Sequence, residues 1–387
     1  MKTKKVRVLL GALAVMLIAW ALNSCSKSDV VPTSFTTLTA EIAVAQNLIA
    51  TTSEGTASGN YVRGSQATLL AAITAAQAVA SNTATTQVQE TAATAQLTAA
   101  VTAYQAAAVV PIDAADLVGQ WTFDELTTAI AGTTVKDYSG NNFNGKITAG
   151  LPNLSTSAYF PWSGYATPAT NIPTQTTDRY GNANKALHFQ AGANVEVPYN
   201  AALNPPQMSI SLWAKADSIP GDPGKYWANN YMLSMYSWHG WKFQIQDTPR
   251  AFFTAHVSGV NTPALGNSSD SSYYDRDMNV GKISPLVKWY HYVVTFGGGS
   301  ESFYINGILV YTWTNVPGTI VNMAAHPVSL VIGQEFATSA YNTTSTSSNF
   351  YDWTPGNYFI GSLDEIRIYK SVLTASQVTS IYNLEKP

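Results

Sequence analysis

The chain of 387 residues has one cysteine, Cys25. No intrachain disulfide can form, so the fold must hold by burial, which a domain of more than about 250 residues can supply. Charge is scarce too: Asp, Glu, Lys and Arg make up 11% of the chain, against about 25% in an ordinary globular domain. Its surface must therefore be built from Asn, Thr, Ser, Gln, Gly and Tyr. No basic tract follows Lys27, which argues against a nucleic-acid partner. There is no GxSxG nucleophile elbow and no HExxH metal helix, so two common hydrolase chemistries lack their residues. The five histidines, His188, His239, His256, His291 and His326, are scattered. Proline is absent from residues 37–108 although the chain has 18 of them.

The first segment that is present reads as an export signal. Lys2, Lys4, Lys5 and Arg7 precede an apolar run from Val8 to Leu22, and short residues lead to Cys25. The run is about 15 residues, short of the ~20 that a spanning helix needs, and the three-part order is that of a secretory signal. The ending LNSC resembles a bacterial lipobox, in which the cysteine is lipidated and becomes the first residue of the mature protein. That implies lipidation at Cys25, a signal peptide over 1–24, and an outer-membrane lipoprotein exposed at the cell surface. A transmembrane anchor or an ordinary signal peptide is the alternative. Removal of 1–24 leaves 363 residues and moves the net charge from −3 to −7, because four positive charges leave with it. That length suggests about two domains.

Residues 25–36 read as a tether, with Pro32 and Ser/Thr content against regular structure. Residues 37–108 are rich in Ala, Thr and Gln. Leu38, Ile42, Ala45 and Leu48 recur at helical spacing; so do Leu69, Leu70, Ile73, Ala76 and Val79; so do Val88, Ala92, Leu97, Val101 and Tyr104. Three helices in an up-down-up bundle are expected. The stretch SEGTASGNYVRGSQATLLAAITAAQAV, with Tyr61 and the pair Leu69/Leu70, resembles the small three-helix FIVAR-type modules, which implies a spacer or a weak glycan contact. After a linker at 109–116 the pattern becomes β. Segments such as MSISLWAKA (208–216), WKFQIQ (241–246), RAFFTAHVS (250–258) and WYHYVVTF (289–296) alternate with period 2. Asn306-Gly307 between SFYIN and ILVYTW signals a type I′ hairpin. Thr374 is a candidate N-cap for a closing helix through Val378, Ile381 and Tyr382. So many strands at this spacing predict a mainly β domain over 117–387, a jelly-roll β-sandwich behind an N-terminal three-helix bundle.

That domain resembles the LamG-like, concanavalin A-like lectin/glucanase family. The likeness is carried by LVGQWTFDE, DYSGNNFNGKI (137–147), NANKALHFQ (182–190), MSISLWAKA, KWYHYVVTF (288–296), ESFYINGILV (301–310), VSLVIGQ (328–334) and FIGSLDEIRIYKSVLTASQVTSIYN (359–383). Such domains bind sugars, proteins or membranes, and some relatives hydrolyse glycans, so the fold alone does not choose the function. Glucanases of the fold carry ExDxE or ExDxxE on one strand, and no such run occurs here. The nearest sequence is Asp364-Glu365, whose side chains on a regular strand would face opposite ways. Together, lipobox, FIVAR-like module and LamG-like domain resemble the surface lipoproteins of Bacteroides-type glycan-utilisation systems. The resemblance implies protein partners of such a system.

The resemblance also implies a structural calcium ion, held by Asp364 with Asp137 or Asp124, since calcium takes six to eight oxygens. The alternative is that Asp137 caps its own turn and Asp364 pairs with a nearby Arg or Lys. Sugar rings need aromatic planes and hydrogen-bonding edges. The segment 226–253 supplies Trp227, Tyr236, Trp238, His239 and Arg250. Trp227 lies in a Gly/Pro-rich loop and is the leading candidate for exposure, while Trp241, Phe243 and Ile245 share a core face. The long loop 335–358 adds Tyr351 and Trp353, and the loop 259–286 is similar, unless each is an ordinary solvated loop. The expectation is a non-catalytic lectin that binds a polysaccharide or oligosaccharide. A protein-binding adhesive module and a glycoside hydrolase remain as alternatives.

Overall fold

The computed structural model describes residues 35–150, 171–190, 192–218, 230–246, 248–258, 273–340 and 358–387. The signal segment and Cys25 lie outside the described residues. The chain divides into two compact units, one holding Gly64–Tyr104 with the chain up to Thr52, the other Ser53–Arg63 with Gln105–Pro387.

The first unit is helical: α1 (Thr36–Thr51), α2 (Ser65–Ser81) and α3 (Gln87–Ala106). Each buries one stripe at a spacing near 3.6: Leu38, Ile42 and Ala45; Leu69, Ile73 and Ala76; Ala93, Leu97, Val101 and Tyr104. Two expected core residues do not join it. Leu70 is 55% exposed and Val88 74%. Adjacent residues on a helix are about 100° apart, so only Leu69 of its pair reaches the stripe. In α3 Leu97, Val101 and Tyr104 are buried as expected, but nearer its start Ala93 is buried in place of Ala92. Thr52 Oγ1 and the Tyr104 hydroxyl lie 2.6 Å apart and tie α3 to the end of α1.

The second unit is a sandwich of two antiparallel sheets, with sixteen strands among the described residues. They are β1 (Leu117–Trp121), β2 (Thr134–Val135), β3 (Gly145–Thr148), β4 (Thr174–Thr176), β5 (Ala186–Phe189), β6 (Asn194–Val197), β7 (Met208–Ala216) and β8 (Asn230–Met235), then β9 (Trp241–Ile245), β10 (Ala251–His256), β11 (Tyr273–Asp277), β12 (Tyr290–Gly297), β13 (Ser300–Ile305), β14 (Ile308–Thr314), β15 (Leu330–Ile332) and β16 (Gly361–Tyr369). The first sheet runs β14-β13-β12-β7-β16-β5-β4 with β1 on β16, and the second runs β11-β10-β9-β8-β15-β6-β3-β2. Many neighbours are non-consecutive, as in a jelly roll. Alternate residues fill the space between the sheets: Ile210, Leu212 and Phe296 from one, Leu233, Trp241, Phe243 and Phe253 from the other, all fully buried. Asn306 and Gly307 take φ of 52° and 75°, the two positive values that a type I′ turn requires.

A fourth helix, α4 (Ala375–Glu385), opens with a capping box in which Thr374 Oγ1 accepts from Gln377 N and Gln377 Oε1 accepts from Thr374 N. Val378 and Ile381 pack with Val293, Tyr304, Tyr369 and Leu373 on the outer face of the first sheet. The expectation that Asp364 and Glu365 face opposite ways is corrected here. A bulge between Asp364 and Arg367 puts Glu365 at φ 49°, and both carboxylates turn toward Arg179, at 2.7 and 3.9 Å from its guanidinium.

Candidate functional site

With α4 packed on the first sheet, the outer face of the second is where polar side chains collect. Strand register sets one row across it: Asp275, Thr254, Lys242, Ser234, Val331, Glu196, Lys146 and Thr134. Period-2 alternation sends all of these away from the core. The β8–β9 connection, Tyr236 to Gly240, folds back beside this row. Tyr236 and Ser237 both take left-handed φ, 66° and 49°, a conformation that costs a non-glycine residue about 1–3 kcal/mol. Gly240 completes the turn, and a Cβ there would lie 2.1 Å from the Met235 carbonyl oxygen and 2.3 Å from the Met323 sulfur.

A buried chain of hydrogen bonds holds that turn. Ser237 Oγ donates to Glu335 Oε1 at 2.6 Å, Ser237 N to Ser234 Oγ at 3.1 Å, and the Tyr231 hydroxyl to Glu335 Oε1 at 3.2 Å. Lys242 Nζ donates to the Tyr231 hydroxyl at 2.9 Å and sits 3.4 Å from the centre of the Trp238 ring. Burial pushes the Lys242 ammonium down to about 7, against the pull of the Glu335 and Asp275 carboxylates. Trp238 in turn meets Tyr273 edge-on at 4.9 Å.

The turn forms one wall of a pocket of about 410 Å³, lined by Tyr236, His239, His256, Val321, Asn322, Met323 and His326. Tyr236 stacks on His326 at 6.3 Å and 24°, and lies 5.2 Å from His239. His256 ends β10, and its Nδ1 is 3.0 Å from the His239 carbonyl oxygen. The opposite wall is pinned through its backbone, with Val321 N donating to His256 O and Asn204 Nδ2 to Val321 O. Among the described residues of this lining there is no Asp, Glu, Lys or Arg.

Three of the expected ligand residues, Tyr236, Trp238 and His239, therefore come together. Arg250 does not join them. It sits at the far end of β10 from His256, about 20 Å away along the strand, and pairs with Asp277 at 3.0 Å. Trp227, Tyr351 and Trp353 lie outside the described residues.

Asp124, Asp137 and Asp364 do not fit the shared calcium site that the resemblance implies. The carboxylate of Asp137 is taken up by its own turn: Oδ1 accepts from Gln120 N and Ser139 N, Oδ2 from Ser139 Oγ and Phe143 N, all within 2.9 Å. Asp364 faces the Arg179 guanidinium, so the positive charge at the last strand is an arginine. Burial, with Glu365 close by, still raises the Asp364 carboxyl to about 8. Asp124 is exposed and lies 3.9 Å from Lys185. Among the described residues no three His, Cys, Asp or Glu side chains converge as a metal cage.

Residues 189–379 match the family model of the concanavalin A-like lectin/glucanases superfamily. The match covers most of the sandwich, including every residue lining the pocket. Among solved structures, domain 4 of an extracellular arabinanase from Geobacillus stearothermophilus, in complex with arabinotriose, is 20% identical with a TM-score of 0.44, covering 69% of this chain and 98% of that one. The binding domain of Paraclostridial mosquitocidal protein 1 is 16% identical with a TM-score of 0.43, over 70% of this chain and 52% of that one. A Trypanosoma rangeli sialidase is 12% identical with a TM-score of 0.41, over 71% of this chain and 33% of that one. No curated protein matches in sequence.

Sequence reasoning missed His256, Asn322, Met323 and His326 as parts of this pocket. His256 was readable, since it shares the outward phase of Thr254 in RAFFTAHVS. The other three carry no local signal.

Proposed function

We propose that this protein binds carbohydrate without cleaving it, at the pocket beside the Tyr236–Gly240 turn. The observation that carries this reading is a concavity lined by tyrosine and imidazole rings with an apolar floor and no carboxylate in its described lining. Ring planes suit the CH faces of sugars, and Asn322 and the imidazole nitrogens suit hydroxyls. Glycoside hydrolysis requires two carboxylates about 5–9.5 Å apart across the bond, which this lining does not supply. The export layout ending at Cys25 supports a lipid anchor at the outer-membrane surface, with the helical unit as spacer.

The test is a glycan array probed with residues 26–387. Binding to a defined glycan with no shorter product released supports the reading. Product release moves the assignment to a hydrolase, and a folded protein that binds no glycan moves it to a protein-binding surface module. The anchor is tested separately: radiolabelled palmitate should enter the wild-type chain in a bacterial host and should not enter Cys25→Ala.

A further inference from the structure

The pocket is small and its described lining holds no Asp, Glu, Lys or Arg; these two features together select a ligand. Its volume of about 410 Å³ lies near the low end of the roughly 300–1,000 Å³ typical of small-molecule sites. That accommodates one or two sugar rings and not an extended run of them. Met323, only 3% exposed, lies at its base. Beyond it, Ile320 N donates to Pro206 O, which ties the start of the loop that closes this side to a neighbouring segment, and His326 N donates to Met323 O in a turn within the loop. Ala324 N donates to Asn322 Oδ1 at 2.7 Å, which fixes the Asn322 amide and leaves its NH₂ end as the donor for a ligand.

The absence of Asp, Glu, Lys and Arg from the described lining bears on ligand charge. An acidic sugar here would give up hydration and find no Lys or Arg among the described lining residues to replace it, a cost that a neutral sugar escapes. We infer that the pocket receives the end of a neutral glycan, a terminal sugar and its neighbour, and does not grip an internal stretch of chain. This rests on the carbohydrate-binding reading above. Tyr236 and His326 supply the stacking planes, and Asn322 with the imidazoles supplies the polar edge.

The experiment is isothermal titration of residues 26–387 with arabino-, xylo-, manno- and gluco-oligosaccharides of two to six residues, and with oligogalacturonates of the same lengths. The expected result is binding within one neutral series, with affinity levelling off at the disaccharide, and no heat from the oligogalacturonates. Tyr236→Asn removes the ring but keeps a residue that tolerates left-handed backbone. His326→Ala changes an exposed side chain. Each should weaken binding about tenfold, the worth of one stacking contact, and His326→Ala should do so without moving the melting midpoint. If Tyr236→Asn does not fold, His326→Ala alone decides the point. Affinity that keeps rising to the hexamer, preference for galacturonates, or binding that His326→Ala leaves intact would overturn the chain-end reading while leaving the lectin reading standing. Failure of every oligosaccharide and of the glycan array would overturn both.

Discussion

Glu301 offers the sharpest test of how burial governs this fold. It sits on β13 between Phe296 of β12 and Trp313 of β14, on the inner face of its sheet. The residue is fully buried and neither carboxyl oxygen has a hydrogen-bond partner. Arg276 is the nearest compensating charge. Its guanidinium, however, is spent on the rings of Tyr274 and Trp313, at 4.3 and 5.1 Å, and on Asp275. Burial therefore raises the Glu301 carboxyl well above the usual range, Arg276 lowers it in part, and Asp275 and Asp277 add to the rise. The native state then holds a proton that the unfolded chain releases near pH 4.3. Above that pH the native state binds more protons than the unfolded state, so stability falls as pH rises, by about 1.4 kcal/mol per unit until the native group itself ionises. A buried polar group with no partner adds a cost of about 1–3 kcal/mol. Glu301→Leu should accordingly be more stable than wild type at pH 8 by at least about 2 kcal/mol, and the gap should shrink toward pH 5. Glu301→Gln should remove this residue's share of the pH dependence while keeping a buried polar group. Urea unfolding followed by tryptophan fluorescence at pH 5, 6, 7 and 8 measures all three. A leucine variant less stable than wild type at pH 8, or a gap of equal size at pH 5 and pH 8, would refute the reasoning.

Lys242→Met removes the ammonium that donates to the Tyr231 hydroxyl and offsets the charge of the Glu335 carboxylate, which is 2% exposed, and should cost about 1–3 kcal/mol; Lys242→Met with Glu335→Gln should recover more than half, read by a double-mutant cycle in urea. The native Lys242 ammonium titrates at about 7 and the unfolded one near 10.4. Between these values the unfolded chain binds more protons, so this residue makes stability rise with pH, a rise that the Met variant should lack. Arg179→Met leaves the buried Asp364 carboxyl without its cation partner and should cost about 1–3 kcal/mol, whereas EDTA should leave the melting midpoint of the wild type unchanged. A drop in that midpoint on chelation, reversed by calcium, would refute the assignment of this role to Arg179.

Legibility in the sequence followed the range of the physical cause. The Asn306-Gly307 hairpin, the Thr374 cap and the core face Trp241, Phe243, Ile245 depend on neighbours within a few residues, and each could be read directly. The bulge at Glu365 could not, because a non-glycine residue at positive φ leaves no compositional mark. Arg250 looked like part of the aromatic cluster on sequence proximity. One strand of β10 carries it to the opposite end of the sheet. The pocket draws on residues 236–239, 256 and 321–326, and only strand register and a pinned loop bring those segments together. Lys242 lies on the outward phase of WKFQIQ, where Tyr231, Phe252 and the Trp238 ring that folds back over it at 3.4 Å help to bury it.

That last contact joins stability to binding. Two consecutive residues in left-handed conformation, Tyr236 and Ser237, cost on the order of 2–6 kcal/mol together. Such a turn persists only if its surroundings over-determine it. Here they do so through Ser237 on Glu335, Ser237 on Ser234, Trp238 on Lys242, and a Gly240 that cannot be replaced without displacing Met323. The ring of Tyr236 is thus set in place before any ligand arrives, which lowers the ordering cost of binding. The same supports lie behind the pocket and not in it. Substitutions at Lys242 or Glu335 should therefore weaken ligand binding by loosening the turn, although neither side chain lines the site.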